Sequence, residues 1–427
     1  MYIETVEITN IKSIKKFKLN FKDPAGWHVL IGDNGAGKSS MIKSIALALV
    51  GPDQAKGLRA DWNEWLSNDS EKGGIVLYID PHDEFDKRTG RGTTVKKYYI
   101  RNTLNFNRKD DFVFLTSNAN PPKGQINPLN LNWGNGDGWF SVAYGPFRRF
   151  GGGNRNDSKL FYSMPKLGAH LSAFGDDFAL TEVIEWLVNL QYQNLEKKHT
   201  GNIIADIKTL INSPDFLPHN TILDTISSEG VIFKDGNNNI IDVTQMSDGY
   251  RSILSLTFEL IRQLVRVYGP NEPFKEVRKG NMKINLPGVV LIDEVDAHLH
   301  PTWQTRIGQW FTKYFPQIQF IVTTHSPLVC RACENGTIWR LAAPGSENKS
   351  GEVKANEREK LINGNILDAY GTEIFGKTPV RSEKSSEKLT LLGKLNMLSA
   401  LGKISEKEEK QRINLQQILT TDDPTGL

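Results

Sequence analysis

The stretch Trp27-His-Val-Leu-Ile-Gly-Asp-Asn-Gly-Ala-Gly-Lys-Ser-Ser40 decides the fold. Its first five residues read as a short buried strand. Gly32 to Gly37 make a turn, and Lys38 to Val50 place Met41, Ile42, Ile45, Ala46 and Leu49 on one helical face. Strand, glycine-rich turn and helix in that order form a phosphate loop. The glycines let consecutive backbone N–H groups curl around a β-phosphate, Lys38 brings a cation to the β and γ oxygens, and Ser39 offers a hydroxyl to Mg²⁺. Asn34, Gly35, Ala36, Gly37, Lys38, Ser39 and Ser40 are the candidate nucleotide-binding residues.

A phosphate loop needs a carboxylate partner. The apolar run Val289-Val-Leu-Ile292 leads straight into Asp293-Glu294, a buried strand ending in adjacent acids. Such a pair suits Mg²⁺ at Asp293 and a water-polarising base at Glu294. Lys38 and Asp293 lie about 255 residues apart and must meet at one metal ion, so the chain leaves the nucleotide core and returns to it. Residues ~55–245 are then insertions. Phe320-Ile-Val-Thr-Thr324 reads as a further strand and delivers His325 in front of Ser326-Pro327. Ser247-Asp-Gly-Tyr250 opens a long helix with Ile253, Leu256, Leu260, Ile261 and Leu264 at helical spacing; by itself Ser247 reads first as an N-cap.

Elsewhere the pattern is mixed. Tyr2 to Phe21 gives two strands around a turn, and Gly74–Asp80 and Thr94–Leu104 predict a β-rich extension. Asn118 to Gly138 is loop-like, Phe140 to Pro146 is a buried strand and turn, and Leu180–Lys197 and Ile203–Asn212 are helical. Strands follow at Gly230–Phe233 and Ile240–Val243, and Glu383–Leu419 reads as two charged helices broken near Gly402. The 427 residues carry a net charge of +3, which leaves a nucleic-acid partner open without requiring one. Only Cys330 and Cys333 are present, and no run reaches the roughly 18 apolar residues of a membrane span, so a soluble protein of the reducing cytoplasm is expected.

Three motifs compete with simpler readings. Asp296, His298 and His300 have the look of a metal cluster, but no further ligand is identifiable. The Cys330–Cys333 spacing reads as two structural thiols on one helix. In Tyr144-Gly-Pro-Phe-Arg-Arg-Phe150 the two arginines either read phosphate or are solvated, and neither Gln125 nor Gln191 stands out as a metal-contacting glutamine.

The order phosphate loop, Ser-Asp-Gly-Tyr, Asp-Glu, His resembles the ABC ATPases. Ile31–Ser40, Ala143–Phe150, Met246–Ser252, Leu291–Pro301 and Ile321–Val329 resemble in particular the RecF/SMC/OLD-like branch and its antiphage Septu and retron ATPases. That resemblance implies an α/β fold: an ABC-type P-loop ATPase head with a mixed, largely parallel central sheet, a β-rich extension, an inserted helical lobe and C-terminal helices. Its parts would be residues 1–150 and 230–345 for the split head, 151–229 for the helical lobe and 346–427 for a C-terminal partner or oligomer region. It implies ATP and Mg²⁺ as ligands, with no guanine-reading Asn-Lys-x-Asp run present. It makes His325 a γ-phosphate sensor, Asp296–His300 a loop crossing a dimer interface, and Ser247 with Gly249 the signature facing the γ-phosphate on a second subunit. Asp248 and Tyr250 stand where the family has Gly and Gln.

The implied function is an ATPase that forms a homodimer or higher homo-oligomer and regulates a separate nuclease, often of the HNH type, in a bacterial antiphage complex, with DNA or a reverse-transcriptase and noncoding-RNA complex as further partners. About 80 residues follow Gly345 without an evident acidic metal cluster, so a nuclease within the chain is not expected. Two alternatives remain: a RecF-like ATP-dependent DNA clamp, and a scaffold that holds ATP without hydrolysing it. A transporter motor fits least.

Overall fold

The computed structural model describes residues 1–87, 100–117, 127–134, 137–146, 163–175, 182–196, 203–228, 230–342, 345, 350–364 and 383–418. In chain order the elements that place the site are β1 (Tyr2–Ile11), β2 (Ile14–Asn20), β3 (Gly26–Ile31), α1 (Lys38–Val50), β4 (Lys72–Asp80), β5 (Ile100–Lys109), β6 (Phe112–Ser117) and β7 (Ser141–Tyr144). They continue with α2 (Glu182–Leu195), α3 (Ile203–Ile211), β8 (Ile222–Ser227), β9 (Gly230–Lys234), β10 (Ile240–Asp242), α4 (Asp248–Tyr268), β11 (Gly288–Ile292), α5 (Pro301–Tyr314), β12 (Ile318–Thr324), β13 (Ile338–Arg340), β14 (Gly351–Glu352) and α6 (Ala355–Asn363).

Three sheets result. The first is antiparallel, in the order β2-β1-β4-β5-β6, and the small third is β10-β9-β8. The second, β14-β13-β3-β12-β11-β7, is parallel through β13, β3, β12, β11 and β7, with only β14 antiparallel. β3, β11 and β12 are buried along their whole length, as expected of strands covered on both faces. Helix α1 contacts β1, β4 and β5 of the first sheet and β7, β11 and β12 of the second. This is why its C-terminal half, Ser44 to Val50, is wholly buried rather than amphipathic. One of its last carbonyls is satisfied from outside the helix: Asn102 Nδ2 and Trp133 Nε1 both donate to the Ala48 carbonyl, at 3.0 and 2.8 Å. The fold is α/β, with a parallel sheet at its centre.

Several expectations shift. The strand expected at Thr94–Leu104 runs to Lys109, its first residues 94–99 lying outside the described set, and it pairs with the unforeseen β6. The hairpin β8–β9 pairs Ser227 with Gly230, across the boundary expected at 229 and 230. Residues 350–364, grouped by sequence with the C-terminal helices, pack on the head. β14 pairs with β13, and Arg358 donates to the Cys333 carbonyl at 2.6 Å. The two-residue strand and the short helix carry too little periodicity to announce this.

The chain divides into two compact units, Met1–Ala369 and Tyr370–Leu427. In the second, α7 (Glu383–Ala400) and α8 (Glu406–Ile418) form a hairpin with a small core of Leu392, Leu395 and Leu415, joined by Ile404. No helix of the described residues is long and apolar enough to cross a membrane.

Candidate functional site

Parallel register brings the motifs to one sheet edge. Ile31 pairs with Thr324, and Ile292 pairs with Val322 on one side and Tyr144 on the other. The phosphate loop, Asp293-Glu294, His325 and Gly145-Pro146 therefore all emerge at the C-terminal ends of adjacent strands, where an open α/β sheet holds its ligands.

In the phosphate loop, Gly37 has φ +94°, and a Cβ there would lie 3.0 Å from Ser13 Oγ and 3.1 Å from Ile14 Cγ1. At Gly32 a Cβ would sit 2.4 Å from the Leu341 carbonyl oxygen, so the β13 exit excludes any side chain. Lys38 is 6 % exposed and its Nζ donates to the carbonyls of Gly32 and Asp33, at 2.6 and 3.1 Å. Burial lowers its pKa, while Asp293, Glu294, Asp33 and Asp296 oppose that effect. The lysine thus lies within the field of both acids after β11. Asp33, Asn34 and Gly35 are exposed, Ala36 is buried, and Ser39 and Ser40 are half-buried at the helix start.

Asp293 is 3 % exposed. Its backbone N–H donates to the Tyr144 carbonyl at 2.8 Å, and its Oδ1 accepts from the Thr323 hydroxyl at 2.5 Å. The same hydroxyl accepts from the Glu294 N–H at 2.7 Å. Glu294 sits in the left-handed region, with φ +47°, and its side chain is half-buried. Thr324 donates to Asp296 Oδ1 at 2.6 Å and accepts from the Ser326 N–H at 2.9 Å. His325, between these bonded neighbours, is exposed. These two threonine hydroxyls are bonding partners of the candidate acids that sequence reasoning did not assign. The available signal was two hydroxyls ending an otherwise apolar strand, because a buried hydroxyl needs a partner.

Ser247 precedes α4, is exposed, and makes no side-chain capping bond, so the simple N-cap reading does not describe its hydroxyl. Asp248 pairs instead with Arg251. Tyr250 is half-buried, its hydroxyl donating to the Pro218 carbonyl at 3.1 Å. A Cβ on Gly249 would stand 3.4 Å from the His298 carbonyl, so the signature turn and the Asp296–His300 loop touch within one chain. In that loop Asp296 is held by Thr324, and the His300 ring accepts from the Thr302 N–H at 3.4 Å at the start of α5. Among the described residues no group of three or more His, Cys, Asp or Glu could hold a metal ion.

Cys330 and Cys333 are buried in one 3₁₀ segment, and burial pushes both thiols up. Phe147, Arg148, Arg149, Phe150 and Gln125 lie outside the described residues. Gln191 is on α2, which packs against α4, β8 and β9.

Fold and site together have the form of a P-loop nucleotide-binding head. Two family models match, "AAA ATPase domain" over residues 1–114 and "AAA domain, putative AbiEii toxin, Type IV TA system" over residues 155–331. Septu protein PtuA of Bacillus mycoides is 26% identical over 432 residues, covering 100% of this chain and 51% of that protein. The Retron Ec83 probable ATPase of Escherichia coli is 36% identical over 151 residues, 34% of this chain and 26% of that one. The chain thus spans about half the length of the first relative and about a quarter of the second. Among solved structures, an Smc head bound to the C-terminal winged-helix domain of ScpA is similar at 17% identity and a TM-score of 0.44, covering 83% of this chain and 98% of that one. The chain therefore carries matches to ATPase-domain models in both halves and is similar to the Septu and retron ATPases.

Proposed function

We propose that two copies of the chain enclose ATP and Mg²⁺ between them, hydrolyse the nucleotide, and through that cycle regulate a separate nuclease in antiphage defence. The observation that carries this reading is Lys38 lying in the field of Asp293, Glu294 and Asp296 at the mouth of the parallel strands. Asn34 to Gly37 would present backbone N–H groups to the β-phosphate, with Ser39 and Ser40 at the helix N-terminus. The Ser39 hydroxyl and the Asp293 carboxylate are hard oxygen donors of the kind Mg²⁺ takes. When bound, the ion would neutralise charge on the β and γ oxygens.

In this reading Glu294 orients and deprotonates the attacking water. His325, exposed at the end of β12, contacts the γ-phosphate. The partner subunit closes the site with the Ser247 hydroxyl and the Gly249 backbone at the positive end of α4. An exposed serine hydroxyl that is not spent on capping its own helix supports that role. The nuclease partner is inferred from the Septu and retron resemblance, and the α7–α8 hairpin is its proposed docking element. Measuring ATP turnover of the purified chain beside Lys38→Met and Glu294→Gln tests the reading. Turnover by the wild-type chain that either substitution leaves intact contradicts it.

A further inference from the structure

We propose that Thr323 is a positioning residue for the hydrolytic pair, holding Asp293 and Glu294 in register so that the metal ligand and the general base act as one unit. The inference rests on the hydrolytic reading above and deepens it.

β12 is apolar from Phe320 to Val322 and then ends in two threonines, each with no exposed surface. Valine has nearly the same shape and an equal preference for a buried strand, so packing alone does not call for a hydroxyl here. A buried hydroxyl costs stability unless it is bonded, and Thr323 is bonded in both senses. Its proton goes to Asp293 Oδ1 at 2.5 Å and its lone pair takes the Glu294 N–H at 2.7 Å. Its own carbonyl accepts from the Val295 N–H at 3.0 Å. One residue therefore contacts three successive positions of the Asp293-Glu294-Val295 turn.

That turn needs holding. Glu294 has φ +47°, a region in which a non-glycine residue is strained and which persists only where neighbours over-determine it. The bond from its N–H to Thr323 ties down the peptide that sets this φ. The bond to Asp293 Oδ1 restricts the rotation of the carboxylate. Thr324 makes the matching bonds one residue on, to Asp296 Oδ1 and from the Ser326 N–H, on either side of His325. The strand that delivers the γ-phosphate sensor thereby also orients the metal ligand and the base.

The test compares wild type, Thr323→Val, Thr323→Ser and Glu294→Gln in the full chain. It measures kcat, KM for ATP, the Mg²⁺ concentration giving half-maximal rate, and binding of a fluorescent ATP analogue. Thr323→Val is expected to lower kcat by about tenfold or more, because small misplacements of reacting groups carry that cost, and to raise the Mg²⁺ requirement, with analogue binding held within about threefold. Thr323→Ser, which restores the hydroxyl, is expected to recover most of kcat and the wild-type Mg²⁺ dependence. If valine perturbs folding, Thr323→Ala replaces it.

A Thr323→Val protein with kcat and Mg²⁺ dependence close to wild type, while Glu294→Gln is inactive, overturns the positioning role and leaves the hydrolytic reading intact. Equal losses in valine and serine variants also overturn it, since they indicate packing rather than the hydroxyl. A wild-type chain without turnover overturns both.

Discussion

Lys38 Nζ donates to the carbonyl of Gly32 at 2.6 Å, so the cation of the phosphate loop rests on the loop's own backbone. Burial already lowers the pKa of this amine, and a bound β,γ-phosphate would replace carbonyl dipoles with full charges. Lys38→Met is therefore expected to weaken ATP binding by about tenfold or more, as loss of a charge-assisted contact does, with a melting temperature that is unchanged or higher. Titration with a fluorescent ATP analogue, alongside thermal denaturation, checks both parts.

Glu294→Gln removes the base and keeps the shape. Turnover should fall about 10²-fold or more, within the range contributed by general-base catalysis, while binding persists. ATP should then hold the variant as a dimer on size-exclusion chromatography. A Gln variant that turns ATP over like wild type would remove Glu294 from the chemistry.

Stability should depend on pH through two buried imidazoles. His28 Nε2 donates to the Pro24 carbonyl and its Nδ1 accepts from the Thr337 hydroxyl, both at 2.9 Å, and burial pushes its pKa down to about 4. His170 is likewise lowered to about 4, first by burial, then by the charges of Arg266 and Lys166. Both folded-state values lie below the unfolded value near 6.5, so the unfolded chain binds more protons as the solution is acidified. Their contribution is complete above pH 6.5 and is lost as pH falls toward 4, by an order of ~3 kcal/mol for each group. Melting temperatures measured between pH 7 and 4 should fall accordingly, and His28→Gln should flatten the slope.

The α7–α8 hairpin buries Leu392, Leu395 and Leu415 in its own core yet exposes Leu389, Leu391, Met397, Leu401 and Ile413. Deleting residues 383–418 should leave ATP affinity unchanged and abolish co-purification with the nuclease partner proposed above. Retained co-purification would move the docking surface to the head.

The core of this fold was readable because its signals are local. β3, the glycine turn and α1 are contiguous, and Val289–Ile292 ends in acids without interruption, so strand type and the placement of the candidate site residues follow from one window each. What escaped is tertiary. β6 points Phe112 and Phe114 outward, at 66 % and 52 % exposure, beside buried Val113, so its apolar run Phe112 to Leu115 shows no alternation that marks a face. β13, with three residues, is defined by its pairing with β3 and β14. Thr323 and Asp293 are 30 positions apart and meet only through the β11–β12 register, which no sequence window reports.

The central claim is that each nucleotide site is completed by Ser247 of a second copy, and complementation in mixed dimers tests it most directly. Lys38→Met and Ser247→Arg proteins, each inactive alone, are mixed in equal amounts, allowed to exchange subunits, and assayed for ATP turnover. Random pairing gives half heterodimers, each with one intact composite site, so recovery to about a quarter of the wild-type rate is the expected result for a two-fold assembly. No recovery in mixtures whose subunits demonstrably exchange would contradict the shared site and place the whole of the chemistry within a single chain.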